Sequence, residues 1–284
     1  MASAFNKDLR RSIRGSLGRF IAIAGIVALG CGFYAGLRMT APDMDHFADA
    51  YYDGTALMDI RVVSTLGLTD ADLDALREVE GVEAVMGAYE TDVMASIGDE
   101  QYAVRVHSLP ASAAQGSQVD EMTVSSDDAG YLNRLKLAEG RWPAAPDECV
   151  ISSDRVMSAP TSVGDAIEVD YGSSDLDSVL DVRSFTIVGF AETAYYPCST
   201  QMGTTSLGSG TVEQFMYVPD GAFDADYPYT EAFVAVAAAA AEQAGSDAYQ
   251  AKVDEVAARI EAIAPERERA RLDQLRADAQ ATLD

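Results

Sequence analysis

Phe20–Leu37 reads FIAIAGIVALGCGFYAGL and contains no charged residue. The chain beyond Leu37 is polar and acidic, so this stretch decides where the rest of the protein resides and what fold it takes. At a rise of about 1.5 Å per residue the segment spans roughly 27 Å, close to the hydrocarbon thickness of a bilayer. Leu17 and Gly18 extend it while Arg19 reaches back to the headgroups.

Charge gives the segment a direction. Residues 1–19 hold Lys7, Arg10, Arg11, Arg14 and Arg19 against Asp8, a net +4, within a chain of net charge −26. The remainder is therefore at −30. By the positive-inside rule the N-terminus stays in the cytoplasm and residues 38–284 face outward. A cleaved signal peptide shares this polarity, but it is shorter and ends in a small-x-small site, which FYAGLRMTAP does not offer. A lipoprotein reading rests on ALGC, with Cys31 as the lipidated residue, yet apolar residues continue past it. Length and flanks place a retained helix first, a cleaved signal second and a lipoprotein third.

Within the span, Ala24, Ala28, Gly32 and Gly36 recur every four residues and lie along one helical face, ending in the G-x-x-x-G of GFYAG. Small residues in such a row let a second helix backbone approach closely. They are the candidate membrane-helix packing residues; ordinary membrane composition is the alternative. Before the span, Phe5, Leu9, Ile13 and Leu17 are spaced by four among basic residues, as in an amphipathic cytoplasmic segment over 1–19.

A strongly acidic outer region repels nucleic acid and anionic headgroups, so no nucleic-acid partner is expected. Pro42 is expected to interrupt the membrane helix, with TAPDMDHFADAYYDG restarting as a short helix. Asp43, Asp45 and His46 then read as first-turn residues favoured by the helix dipole rather than as metal ligands. LMDIRVVST reads as a strand, and LTDADLDALREVEGV as a helix capped by Thr69 and stopped at Gly81. VEAVMGAY is a further strand, and TDVMASIGDEQYAVRVHSL a hairpin turning at Gly98-Asp99. His107, inside its strand's apolar alternation, reads as a packing or edge residue.

These elements form a first strand-helix-strand-strand unit over about 55–110, followed by a polar excursion to 130. A second unit, 130–241, contains strands in CVIS, VGDAIEVDY, VRSFTIVGFAET, EQFMYVP and TEAFVAVAAAA. GSSDLDSVLD reads as a solvated hairpin loop whose acids do not match a calcium-loop pattern. Turns rather than regularly alternating helices separate the strands, which favours an α+β extracytoplasmic domain over 38–241. Cys149 and Cys198 are free to pair outside the cell, though isolated packing of Cys149 is the simpler reading. Over 242–284, Tyr249, Val253, Val256, Ile260 and Ile263 are spaced 4, 3, 4, 3. That is a heptad seam. Pro265 is expected to break it before Leu272, Leu275 and Ala279 resume the rhythm. A coiled-coil stub ending mid-pattern implies a chain that continues.

No nucleophile–base pair, G-x-S-x-G elbow or G-K-[ST] phosphate loop stands out, so no catalytic residue, cofactor or metal is assigned and the chain is not read as an enzyme. The stretches KDLRRSIRGSLGRFIAIAGIVALGCGFYAGL, DIRVVSTLGLTDADLDAL, GRWPAAPDECVIS, VGDAIEVDY and FTIVGF, in this order, resemble the N-terminal part of an FtsX-like, MacB-type ABC transporter permease. GTTSLGSGTVEQFMYVPDGAFDADYPYTEAFVAV looks like the longer, coiled-coil-bearing members. The resemblance implies an α+β domain inserted after the first membrane helix. It also implies a cytoplasmic ABC ATPase partner, a second permease copy or further membrane helices, membrane lipid contact, and a role in export, extraction or signalling. A self-contained single-pass or lipid-anchored ligand-binding receptor is the alternative, and an anchored wall hydrolase a third.

Overall fold

A computed structural model describes residues 17–114, 118–119, 122–153, 161–196 and 202–283. The amphipathic reading of 1–16 and the Cys198 half of the disulfide reading lie outside these residues. The contacts divide the chain into two units, Met1–Ala48 and Asp49–Asp284.

The first helix, α1, runs Leu17–Gly54 and begins in the first unit. Pro42 lies inside it rather than at a break. A proline ring deletes one bond of the helical ladder, but the flanking turns keep theirs and the helix continues. Asp43, Asp45 and His46 are consequently exposed mid-helix residues and not a first turn. No described residue of α1 up to Phe47 is shielded from solvent, and the helix is long and apolar enough to cross a membrane.

The second unit continues with β1 (Ile60–Leu68), α2 (Asp70–Arg77), β2 (Val82–Ala88), β3 (Glu90–Ile97) and β4 (Glu100–Leu109). A two-residue ribbon, β5 (Gln118–Val119) with β6 (Val124–Ser125), leads to β7 (Lys136–Gly140), β8 (Glu148–Ser152), β9 (Ala166–Gly172) and β10 (Ser184–Glu192). The last elements are β11 (Gln214–Pro219), β12 (Tyr229–Val236) and α3 (Asp247–Leu283). At the start of α2 the Asp72 carboxylate accepts hydrogen bonds from both the amide (2.8 Å) and the hydroxyl (2.7 Å) of Thr69.

The two halves of the sequence do not fold as two subunits. β12, from the second half, lies between β1 and β2 in a three-stranded antiparallel sheet. The larger sheet has the order β7-β10-β8-β11-β4-β3-β9. β9 also pairs with β10, so six of its strands close into a ring. β8–β10 and β4–β11 are the parallel pairs. The architecture is α+β, with both sheets shared between the halves, because hydrophobic faces select partners by fit rather than by proximity along the chain.

Alternate residues of the ring point inward. Val93, Ala95, Val104, Val106, Cys149, Ile151, Ile167, Phe185, Ile187 and Met216 form its interior. Leu176, Val179 and Leu180 of the β9–β10 connection cap it, so the segment expected to be a solvated loop buries its apolar residues and leaves Asp177 exposed to pair with Arg183. Cys149 is fully buried. One face of the three-stranded sheet packs on α2 and on the Val253, Val256 and Ile260 side of α3. The heptad spacing is thus filled over its first half by this chain's own sheet. Pro265 is inside α3 and does not break it.

Candidate functional site

Two constructions in the second unit stand out, and strand register builds the first. The Gly98-Asp99 turn, with Gly98 at φ +62°, sets the β3–β4 pairing. It places Glu90 directly opposite His107 and Asp92 directly opposite Arg105. Since side chains alternate, all four share the outer face of the ring, beside Phe215 and Tyr217 of β11. On the three-stranded sheet, Glu231 of β12 lies diagonal to Arg61 of β1.

These residues meet in a charged seam. Arg61 Nε donates to Glu231 Oε2 at 2.5 Å, and its NH2 donates to Glu90 Oε2 at 3.1 Å. Arg105 grips Asp92 with two bonds, 2.7 and 2.9 Å, and lies 3.5 Å from Glu90 Oε1. His107 Nε2 is 2.6 Å from the Tyr196 hydroxyl, and its ring stacks on Tyr217. Glu231 is 0% exposed, and its Oε1 has no hydrogen-bond partner among the described residues.

Burial and the two nearby guanidiniums push His107 down to about 3, so it is neutral. Burial, then the Glu90 charge, pushes Glu231 up to about 7 against the pull of Arg61. Burial also raises Glu90, with Arg105 and Arg61 opposing. Glu90, His107 and Glu231 offer ligand atoms within 4.8 Å of one another. Arg61, bonded to both carboxylates, already supplies the positive charge there. The donor set therefore fits a structural ion network better than a metal centre.

The second construction is the exit of α1. Asn133, at φ +51°, accepts from Met58 N through Oδ1 (2.9 Å) and donates its backbone amide to Ala56 O (2.8 Å). Arg134 N donates to Thr55 O (2.8 Å). Gly54 is needed here, since a Cβ would lie 2.3 Å from Met122 O. Asp49 accepts from Ala244 N (2.7 Å), while Asp59 accepts from Val236 N and from the Tyr249 hydroxyl, both at 2.6 Å. Asp59, in the connection from α1 to β1, thereby ties β12 to the first turn of α3, and Asp49 of α1 is bonded to the segment before α3.

Ala24, Ala28, Gly32 and Gly36 lie on α1, exposed, and space around both glycines is open. The structure brings them to neither construction. The sequence reading does not find the seam: of its members it singles out His107, as a packing or edge residue, and His107 lies in a central strand. The available signal is the alternation of Glu90 with Asp92 and of Arg105 with His107 about one tight turn.

A family model described as the MacB-like periplasmic core domain matches residues 17–256. Three solved structures are similar at low identity. The extracellular domain of the noncanonical ABC-type transporter YknZ from Gram-positive bacteria aligns at 15% identity and TM-score 0.34, over 68% of this chain and 86% of that one. The periplasmic region of MacB from Actinobacillus actinomycetemcomitans aligns at 10% and 0.33, over 69% and 73%. A permease domain from Porphyromonas gingivalis aligns at 16% and 0.32, over 61% and 62%. Among curated proteins no match is found.

Proposed function

From the premise that the chain belongs to the MacB-like periplasmic core domain family, we propose that it is the first-helix and extracytoplasmic part of an ABC transporter permease, and that it transmits movement. The observation that carries this reading is the continuity of α1. One helix runs from the apolar span to Gly54; Thr55 and Ala56, immediately after it, accept hydrogen bonds from the 133–134 backbone, and Asp49 near its end accepts from Ala244 N. A helix whose end is pinned by several backbone bonds passes displacement on rather than absorbing it in a loop.

On this reading the N-terminus is cytoplasmic and the second unit lies outside. The energy comes from a separate cytoplasmic ATPase, with a second permease copy or further membrane helices completing the assembly. The chain performs no catalysis of its own. On intact cells, a membrane-impermeant thiol reagent is expected to label Ser126→Cys and to miss Ser3→Cys, in a background lacking the native cysteines. The full permease is expected to retain its ATPase on affinity purification. Labelling of Ser3→Cys, or purification free of any ATPase, would refute the assignment.

A further inference from the structure

We propose that Glu231 is a proton-binding site controlling the seam between the three-stranded sheet and the ring: protonated, it leaves the seam charge-balanced, and deprotonated, it leaves one uncompensated negative charge there. The pairing geometry singles it out. Arg105 has its own carboxylate in Asp92, held by two bonds. Arg61 is shared between Glu231 at 2.5 Å and Glu90 at 3.1 Å. Three carboxylates therefore meet two guanidiniums, and of the three Glu231 is the fully buried one.

Its two oxygens differ in their surroundings. Oε2 accepts from Arg61 Nε, and Oε1 faces no acceptor or donor among the described residues. Oε1 is unpaired in either protonation state, and burying an unpaired polar group costs far more when it carries charge than when it is neutral.

The groups facing Glu231 among the described residues leave no other cation to balance it. β1 supplies Arg61, β3 supplies Glu90 and Asp92, β4 supplies Arg105 and His107, and the segment after β10 supplies Tyr195 and Tyr196. β2 brings Ala88 opposite Glu231. His107 is held neutral by burial, so it contributes no charge near neutrality.

Linkage fixes the sign of the effect. A carboxyl that binds its proton more tightly folded than unfolded stabilises the fold most below its unfolded value of about 4.3. That contribution declines as pH rises and is gone above about 7, where the folded group ionises. Alkalinisation therefore loosens the junction between the sheet that carries α3 and the ring, without touching α1.

The test uses the full chain in detergent micelles with glutamate carboxyls labelled with carbon-13. One resonance is expected to titrate near neutrality, to be missing in Glu231→Gln, and to move to higher pH in Arg61→Gln, which removes the adjacent cation. In urea titrations the unfolding constant of the wild type relative to Glu231→Gln is expected to rise by up to about tenfold per pH unit between about 5 and 7, then level off. Amide exchange across β1–β12 is expected to be slower in Glu231→Gln than in the wild type at about pH 8 and equal at about pH 5. If every glutamate titrates below about 5.5, or the neutral titration survives in Glu231→Gln, the proposal fails. Should Glu231→Gln not fold, the wild-type titration and its shift in Arg61→Gln decide alone.

Discussion

Arg61 is the residue on which the seam depends most, because one side chain serves two carboxylates from two sheets. Removing it leaves Glu231 and Glu90 facing each other in a buried space. Breaking a buried pair by deleting one partner costs about 3–5 kcal/mol; since the Arg61 side chain is 37% exposed, about 2 kcal/mol is the expected loss for Arg61→Ala. Arg61→Ala with Glu231→Gln should recover most of that loss. Urea midpoints of the two single variants and the double variant measure the coupling, and strictly additive losses would show that the bond carries no interaction energy. The residues of this network are legible in part. Glu90, Asp92, Arg105 and His107 alternate about a recognisable turn, so their shared face is a consequence of period two. Glu231 is not legible, because its partner Arg61 is 170 residues away.

The elements carry their own lessons. A 4, 3, 4, 3 spacing predicts α3, and its apolar face is present as expected. Spacing alone does not say what covers a face, and here the chain's own sheet does so over residues 249–263. Ile260→Ala, at 7% exposure, is expected to cost about 2–4 kcal/mol, while Leu275→Ala beyond the packed half should cost under about 0.5 kcal/mol. Thermal unfolding of both variants checks the contrast, and equal losses would mean that the distal half is packed as well. Both prolines expected to break helices are absorbed, since a proline removes one ladder bond while the flanking turns keep theirs. Along α1, the row Ala24, Ala28, Gly32 and Gly36 is proposed to pack against other membrane helices. Leucine at Gly32 and Gly36 should preserve insertion and weaken assembly of the full permease by about 1–2 kcal/mol, whereas leucine at Ile23 and Val27 should be silent. Equal ATPase recovery on purification from both pairs would remove the proposed face.

Across the whole molecule, opposing carboxylates shape the response to pH. Paired with Arg141 and the Ala144 amide, Glu148 is drawn down to about 2. Asp72 is also lowered: burial acts against this, but its bonds to Thr69 and Arg267 outweigh it. Glu148 stabilises the fold above about pH 4 and loses that contribution as pH falls through about 2, Asp72 acts in the same sense, and Glu231 acts in the opposite sense towards pH 7. Stability is therefore expected to peak at mildly acidic pH. A melting temperature that climbs steadily from pH 5 to 8 would contradict this. What the sequence determined by itself was whatever depends on neighbours along the chain. The apolar span rests on eighteen uncharged residues, most strands on alternation, and the helices on spacing and caps. Only the tertiary structure decided that β12 lies between β1 and β2, that β9 closes the ring on β10, and that five acidic and basic groups and a neutral histidine share one seam. The physical reason is range. Periodicity and turns act over a few residues, whereas sheet order and buried charge pairing depend on which distant faces exclude water together.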